Sequence, residues 1–375
     1  MEAPKLLREL IALPSVNPAF LPADDPRGGE QRVAEFLAQQ ARRAGLDFIG
    51  FQKVLPGRSN FLASLSPSGK VEHRILLAPH LDTVGAEGPQ LRPTIKSGKL
   101  HGRGACDTKG SVAAFFTALS AIAKNKQRPQ HTEIIFAGLV DEENSQSGSR
   151  TLARSGFEAD LAIVGEPTGC RIVTAHKGDL WLRLTTRGKA AHGARPELGR
   201  NAVHAMARVV DALETHYAGR LRRRRHPLLG HGTVNVGTIR GGVQANIVPD
   251  HCQISIDRRT LPGETPAGIR REIQALLHAQ KITATIADTK DALCPALETD
   301  PTQPLVREFL KAAGQTRPLG VDFFCDAAIL SAGGIPSVVF GPGDIAQAHT
   351  ADEWVSLAQL EKATALLTRF LRSLP

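Results

Sequence analysis

The stretch from Arg74 to Asp82, RILLAPHLD, constrains the fold more than any other. Ile75, Leu76 and Leu77 are consecutive and apolar, as a strand buried on both faces requires, and they run directly into Pro79-His80-Leu81-Asp82. A strand covered on both faces belongs to an α/β sheet flanked by helices, and such sheets place their sites at the carboxyl ends of strands. His80 falls at such an end. With Asp82 two residues on, it is a candidate metal ligand with a carboxylate to orient its ring.

The pattern recurs twice. Glu133 to Val140, EIIFAGLV, ends in Asp141-Glu142-Glu143, and the strand-like Asp160 to Val164 ends in Gly165-Glu166. Adjacent acids at the end of an apolar strand are costly without a counter-charge. Between the first two strands lies His101-Gly102-Arg103-Gly104-Ala105-Cys106-Asp107, ahead of a helix predicted over Ser111 to Lys126 from Val112, Phe115, Phe116, Leu119 and Ile122. A glycine-rich loop before a helix can cradle phosphate, but here the dinucleotide pattern breaks at Asp107 and no P-loop match exists. An acid in that place suits a divalent cation.

The remaining periodicities divide the chain, and 375 residues exceed what one hydrophobic core usually serves. Helices are predicted over residues 2–13 and Gly29 to Ala44, and strands near Leu46 to Gln52 and Asn60 to Leu65. After Gly178 the order becomes β-α-β-β-α-β: Asp179 to Arg187, Asn201 to His216, Thr233 to Ile239, His251 to Leu261, Pro266 to Ala279 and Ile282 to Ala287. That is the order of a ferredoxin-like module, and it interrupts a first domain that resumes near Asp291. The expectation is a discontinuous domain of residues 1–177 and 291–375 with an insertion of 178–290. The resumed part holds helices at Pro304 to Ala313, Cys325 to Ala332 and Leu357 to Leu374, a strand at Ser337 to Phe340, and the segment Ala348-His349-Thr350-Ala351-Asp352-Glu353.

Composition narrows the function classes. No apolar run reaches the roughly 20 residues that span a bilayer, and the amphipathic start is unlike a signal peptide, so no membrane partner and a cytoplasmic location are expected. Five scattered cysteines without a C-x-x-C pair speak against disulfides and a thiolate zinc site. The net charge of +9 peaks at Arg220 to His226, a run without interleaved aromatics that reads as a solvated face rather than a nucleic-acid surface.

Strand and loop ends thus offer His80, Asp107, Glu143, Glu166 and His349 as ligands, with Glu142 and Asp82 to spare. Zinc takes such nitrogen and oxygen donors, and a carboxylate can bridge two ions that together activate water and polarise a carbonyl. No H-E-x-x-H helix and no G-x-S-x-G elbow competes with that reading.

The segments HLD at 80, GRGACDTKG at 102, DEE at 141, GEPT at 165, GKAAHGARPELGRNA at 188 and GPGDIAQAHTADE at 341 resemble, in order and spacing, one family. It is the di-zinc peptidase and deacylase family of acetylornithine deacetylase, succinyl-diaminopimelate desuccinylase, aminoacylase and glutamate carboxypeptidase. The resemblance implies an α/β zinc-exopeptidase-like domain, its mixed sheet flanked by helices, with an inserted dimerisation or lid domain. Two divalent ions, Zn2+ or Co2+, are implied. Asp107 would bridge them, His80 and Glu166 completing one site and Glu143 and His349 the other, with Glu142 the general base and Asp82 orienting His80. It further implies a homodimer in which His192 reaches the partner's site, while Asn246 and Arg259 hold the substrate carboxylate or developing charge. Thr108 stands where many members have Met. HKG at 176 and the segment after Gly341 lean toward acetylornithine deacetylase, whose group tends to carry Glu at the position of Asp326. The expected activity is removal of the acyl group from an N-acyl amino acid, with a carboxypeptidase or dipeptidase as the alternative and a non-catalytic binding protein the remote one.

Overall fold

In the computed structural model, which describes residues 2–124, 127–289 and 293–375, the apolar runs become neighbouring strands. The chain divides into two units: Met1–Thr174 with Thr299–Leu319 and Cys325–Pro375, and Ala175–Glu298 with Gly320–Phe324. The proposed resumption at Asp291 and the helix end at Lys126 lie outside the described residues.

The first unit contains helices α1 (Ala3–Ile11), α2 (Gln31–Ala44), α3 (Lys109–Lys124), α4 (Ser147–Arg154), α5 (Pro304–Ala312), α6 (Asp326–Ala332) and α7 (Leu357–Ser373). The central strands of its large sheet are β1 (Phe48–Leu55), β2 (Arg58–Leu65), β3 (His73–Pro79), β4 (Thr132–Gly138), β5 (Leu161–Gly165) and β6 (Ser337–Phe340), in the spatial order β1-β2-β4-β3-β5-β6. β1, β2 and β4 pair antiparallel, whereas β4, β3, β5 and β6 run parallel. All four parallel strands therefore end at the same edge, and His80, Asp141 to Glu143, Glu166 and Gly341 leave the sheet there.

The sheet is buried because helices cover it. α3 is buried almost all round, which is why its sequence is apolar on every side rather than along a stripe. Phe116 meets Phe136 edge-on at 5.5 Å, and Phe309 packs between Phe340 (5.1 Å) and Phe370 (4.7 Å), joining α5, β6 and α7. Gly165 has to lack a side chain, since a Cβ there would lie 2.8 Å from the Pro79 Cβ. α2 starts at Gln31 rather than Gly29, because Gly29 sits at φ +82, outside helical space.

The second unit is an antiparallel sheet in the order Thr233–Gly241, His251–Thr260, Gly178–Arg187, Thr285–Asp288, with helices Ala202–Asp211 and Pro266–Ala279. Numbered by chain position the order is 2-3-1-4, that of a ferredoxin-like module inserted in the first unit. Strict alternation along His251–Thr260 buries Cys252, Ile254, Ile256, Arg258 and Thr260. The helix predicted to stop at His216 continues through a π-helical stretch, Ala212–Tyr217, into Ala218–Arg222. Within the basic run Arg222 to Arg225 are exposed, and Arg224 pairs with Glu272 at 2.6 Å.

Candidate metal centre

Each group at the common sheet edge is aimed by a specific local device. The Leu81 N–H donates to the Leu139 carbonyl (2.8 Å), which keeps the extensions of β3 and β4 side by side beyond the sheet. His80 Nδ1 then lies 3.0 Å from the Asp82 carbonyl and 3.5 Å from Asp82 Oδ1. With the Nδ1 proton donated there, the Nε2 lone pair is free for a cation. Nε2 points at Asp107 Oδ1 (3.1 Å) and Glu166 Oε1 (3.8 Å).

The Asp82 carboxylate also accepts the N–H groups of Glu142 and Glu143, both at 3.1 Å, and the Asn17 amide at 2.8 Å. Asp141 makes that approach possible by adopting φ +67, a left-handed conformation that Asp tolerates better than most residues. Asp82 thus aims both Glu142 and Glu143, besides His80.

Asp107 enters from the loop before α3, and Thr108 anchors that loop by donating its hydroxyl to the Gly165 carbonyl at 2.8 Å. The residue that departs from the family's usual Met therefore ties the Asp107 loop to the end of β5, one residue before Glu166. Asp107 Oδ1 faces His80, and its Oδ2 lies 3.2 Å from His349 Nε2, which is also 3.2 Å from Glu143 Oε2. Its two oxygens face different histidines, the posture of a carboxylate shared by two ions.

The electrostatics fit cations. Hydrogen bonds to Asp107 and Glu143 raise the pKa of His349 to about 10, while burial and the Asp107 charge lift Glu143 to about 7. Burial, together with Glu166, Asp326 and Glu143, drives Glu142 well above the carboxylate range, and Glu166 shifts the same way. Glu143 Oε1 and Glu166 Oε1 are buried without a hydrogen-bond partner. Buried carboxylates that crowd each other around two histidines, with oxygens left over, are what divalent ions compensate. Ligand atoms of His80, Asp107 and Glu143 all lie within 4.8 Å of one another, one compact set of metal donors.

His192, Asn246 and Arg259 belong to the second unit. His192 bridges to Ile247, and the Gly193 N–H donates to the Asn246 carbonyl (2.7 Å), which brings His192 and Asn246 onto adjoining, exposed segments. Arg259 pairs with Asp257 at 3.0 Å and stacks over Phe324, with 5.6 Å between guanidinium carbon and ring centroid.

Two sets of supporting residues lie outside the ligands and the base that the sequence points to. Arg58 binds Glu30 and, at 3.0 Å, Asp141, while Asn17 donates to both Asp82 and Asp141. Glu353 accepts four donors from the loop that bears Asp107. The only hint for Glu353 is its place four residues after His349; nothing local marks Asn17, Glu30 or Arg58.

An α/β domain with a ferredoxin-like insertion and a histidine–carboxylate cluster beyond the parallel strand ends is an arrangement suited to holding divalent ions. The profile of Peptidase family M20/M25/M40 matches residues 76–373, and the chain belongs to that family. It is 32% identical over 381 residues to the acetylornithine deacetylase of Myxococcus xanthus, covering 97% of this chain and 95% of that one. It is 31% identical over 353 residues to a Mycobacterium tuberculosis protein named "Putative succinyl-diaminopimelate desuccinylase", covering 91% of this chain and 93% of that one. The fold is similar to that of the aminopeptidase PepT from Bacillus cereus, with a TM-score of 0.80 and 22% identity over 99% of this chain and 97% of that one. No helix among the described residues is long and apolar enough to cross a membrane.

Proposed function

We propose that this enzyme removes the acyl group from N-acyl amino acids, with a small acyl group such as acetyl preferred. The observation that carries the metal-assisted hydrolysis is the shared posture of Asp107 between His80 and His349. His80, Asp107 and Glu166 would hold one divalent ion and Asp107, Glu143 and His349 a second, most readily Zn2+, with Co2+ a substitute. Bound there, such ions polarise an amide carbonyl and make water acidic enough to lose a proton near neutral pH. Glu142 takes that proton and returns it to the departing amine.

In this reading Arg259 and Asn246 grip the substrate carboxylate, and the inserted unit forms a homodimer that lends His192 to the partner's site. The buried thiols of Cys106, Cys170, Cys252 and Cys325 support a reducing, cytoplasmic setting. The similarity to an acetylornithine deacetylase over nearly the whole chain favours acetyl. The desuccinylase relative keeps a longer acyl group as the second reading, and peptide-bond hydrolysis uses the same groups.

The test is kcat/KM for the zinc- or cobalt-loaded protein. N-acetylornithine and other N-acetyl amino acids should exceed N-succinyl-diaminopimelate, dipeptides and folate-like glutamate conjugates, and esterifying the α-carboxylate should remove most of the rate. A clear preference for a dipeptide or glutamyl conjugate would transfer the protein to the peptidases.

A further inference from the structure

The loop that delivers Asp107 lies between the short strand Lys99–His101 and α3, and the two glycines in it, Gly102 and Gly104, have φ of +150 and +80. Having left the sheet and not yet entered the helix, its backbone N–H groups need acceptors from elsewhere. Three of them find one carboxylate. Glu353 Oε1 accepts from the N–H groups of Cys106 (2.8 Å) and Asp107 (2.9 Å), and its Oε2 accepts from the N–H of Gly104 (2.9 Å) and from Arg103 Nη1 (2.8 Å). The Glu353 carbonyl takes a further N–H, that of Gly102, at 3.0 Å. Glu353 is only 2% exposed and Arg103 5%, so these bonds are shielded from competing water.

The same segment supplies His349. Its last residues are also tied to the loop by Gln90, whose side chain donates to the Ala351 carbonyl (2.9 Å) and whose own carbonyl accepts the Arg103 N–H (2.8 Å). Asp107 and His349 therefore sit on two irregular segments that are joined through Glu353.

We propose that Glu353 is a positioning residue of the metal centre: by holding the 103–107 loop through four donors it fixes where Asp107 presents its two oxygens to His80 and His349. The proposal rests on the metal reading above. Neither oxygen of Glu353 is replaceable by an N–H donor. In Glu353→Gln the amide NH2, in either orientation, faces two donors and pushes part of the loop away. Glu353→Asp keeps both acceptors and the charge but retracts them by one methylene.

Metal-free protein titrated with Zn2+ by calorimetry, and with Co2+ followed through its visible absorption bands, reads the effect directly. Wild type should bind two ions. Glu353→Gln should bind them about 10- to 100-fold more weakly, as loss of a group that orients a ligand does, with displaced Co2+ bands. Glu353→Asp should fall between the two. A residue that only stabilised the fold would lower the melting temperature of the metal-free variant and leave affinity and bands alone. That pattern overturns the proposal. Should Glu353→Gln not fold, Glu353→Asp decides: a weakened affinity supports the positioning role, and an unchanged one overturns it. A wild-type chain that binds no metal would overturn the metal reading and this proposal together, whereas normal binding by the variant overturns the proposal alone.

Discussion

At the scale of single residues, Glu142 and Glu143 differ in what they face rather than in chemistry. Asp82 receives the N–H of both, but Glu143 turns to His349 at 3.2 Å while Glu142 makes no such ion pair among the described residues and feels the charges of Glu166 and Asp326. In the proposed mechanism Glu142→Gln removes the proton acceptor without removing a ligand. Metal content should therefore stay at the wild-type level while kcat falls by about 100-fold or more, the range that general-base catalysis contributes. Retention of more than about a tenth of the rate would take Glu142 out of that role. His176 gives a prediction about pH. Its Nδ1 lies 2.8 Å from the Lys177 carbonyl, its Nε2 is buried without a partner, and burial lowers its pKa to about 4. Between about pH 6.5 and 4 the unfolded chain binds this proton and the folded chain does not, so stability is lost as pH falls through that window. Urea unfolding of the metal-free protein, compared with a non-titrating His176→Gln variant, should show the wild type losing roughly 2 kcal/mol relative to the variant between pH 7 and 4.5.

At the scale of elements, the start of α2, the start of β2 and the end of β4 are held by one buried ionic group. Glu30 precedes α2, Arg58 opens β2, and Asp141 follows β4; their side chains are 1%, 11% and 2% exposed. Such a network adds little over well-packed apolar residues, but breaking it on one side leaves buried charge unpaired. Arg58→Met should destabilise the metal-free protein by about 3–5 kcal/mol in urea unfolding, and Arg58→Lys should recover only part, since a single ammonium cannot reproduce the fork. Loss of under about 1 kcal/mol would mean that water reaches the pair and screens it.

At the scale of the whole molecule, the first unit holds His80, Asp107, Glu142, Glu143, Glu166 and His349, and the second holds His192, Asn246 and Arg259. If His192 serves the site of a partner subunit, two inactive variants should complement. Mixing His192→Ala with Glu142→Gln under conditions of demonstrated subunit exchange should restore a fraction of activity, because one composite site of the mixed dimer is intact. No recovery would assign His192 to its own subunit's chemistry or to none, and a sedimentation mass of a monomer would remove the dimer altogether.

Much of the centre is legible along the chain for a local reason. A strand buried on both faces must be apolar, so the point where Ile75–Leu77, Ile134–Ala137 or Leu161–Val164 meets a polar residue marks a strand end to within about three residues. His80, Glu142, Glu143 and Glu166 stand at such points, and the family motifs add Asp107 and His349. Short elements whose patterns are too brief to read, such as Thr94–Lys96, Ser147–Arg154 and Val173–His176, emerge only in the fold. So do the groups that aim the site. Asn17 lies 65 residues from Asp82, Arg58 83 from Asp141, and Glu353 246 from Asp107. Sequence alone determined which residues end the strands, because burial acts on each strand locally. Which carboxylates orient the others was decided by tertiary structure, because a hydrogen bond depends on distance in space and leaves no periodic trace in the chain.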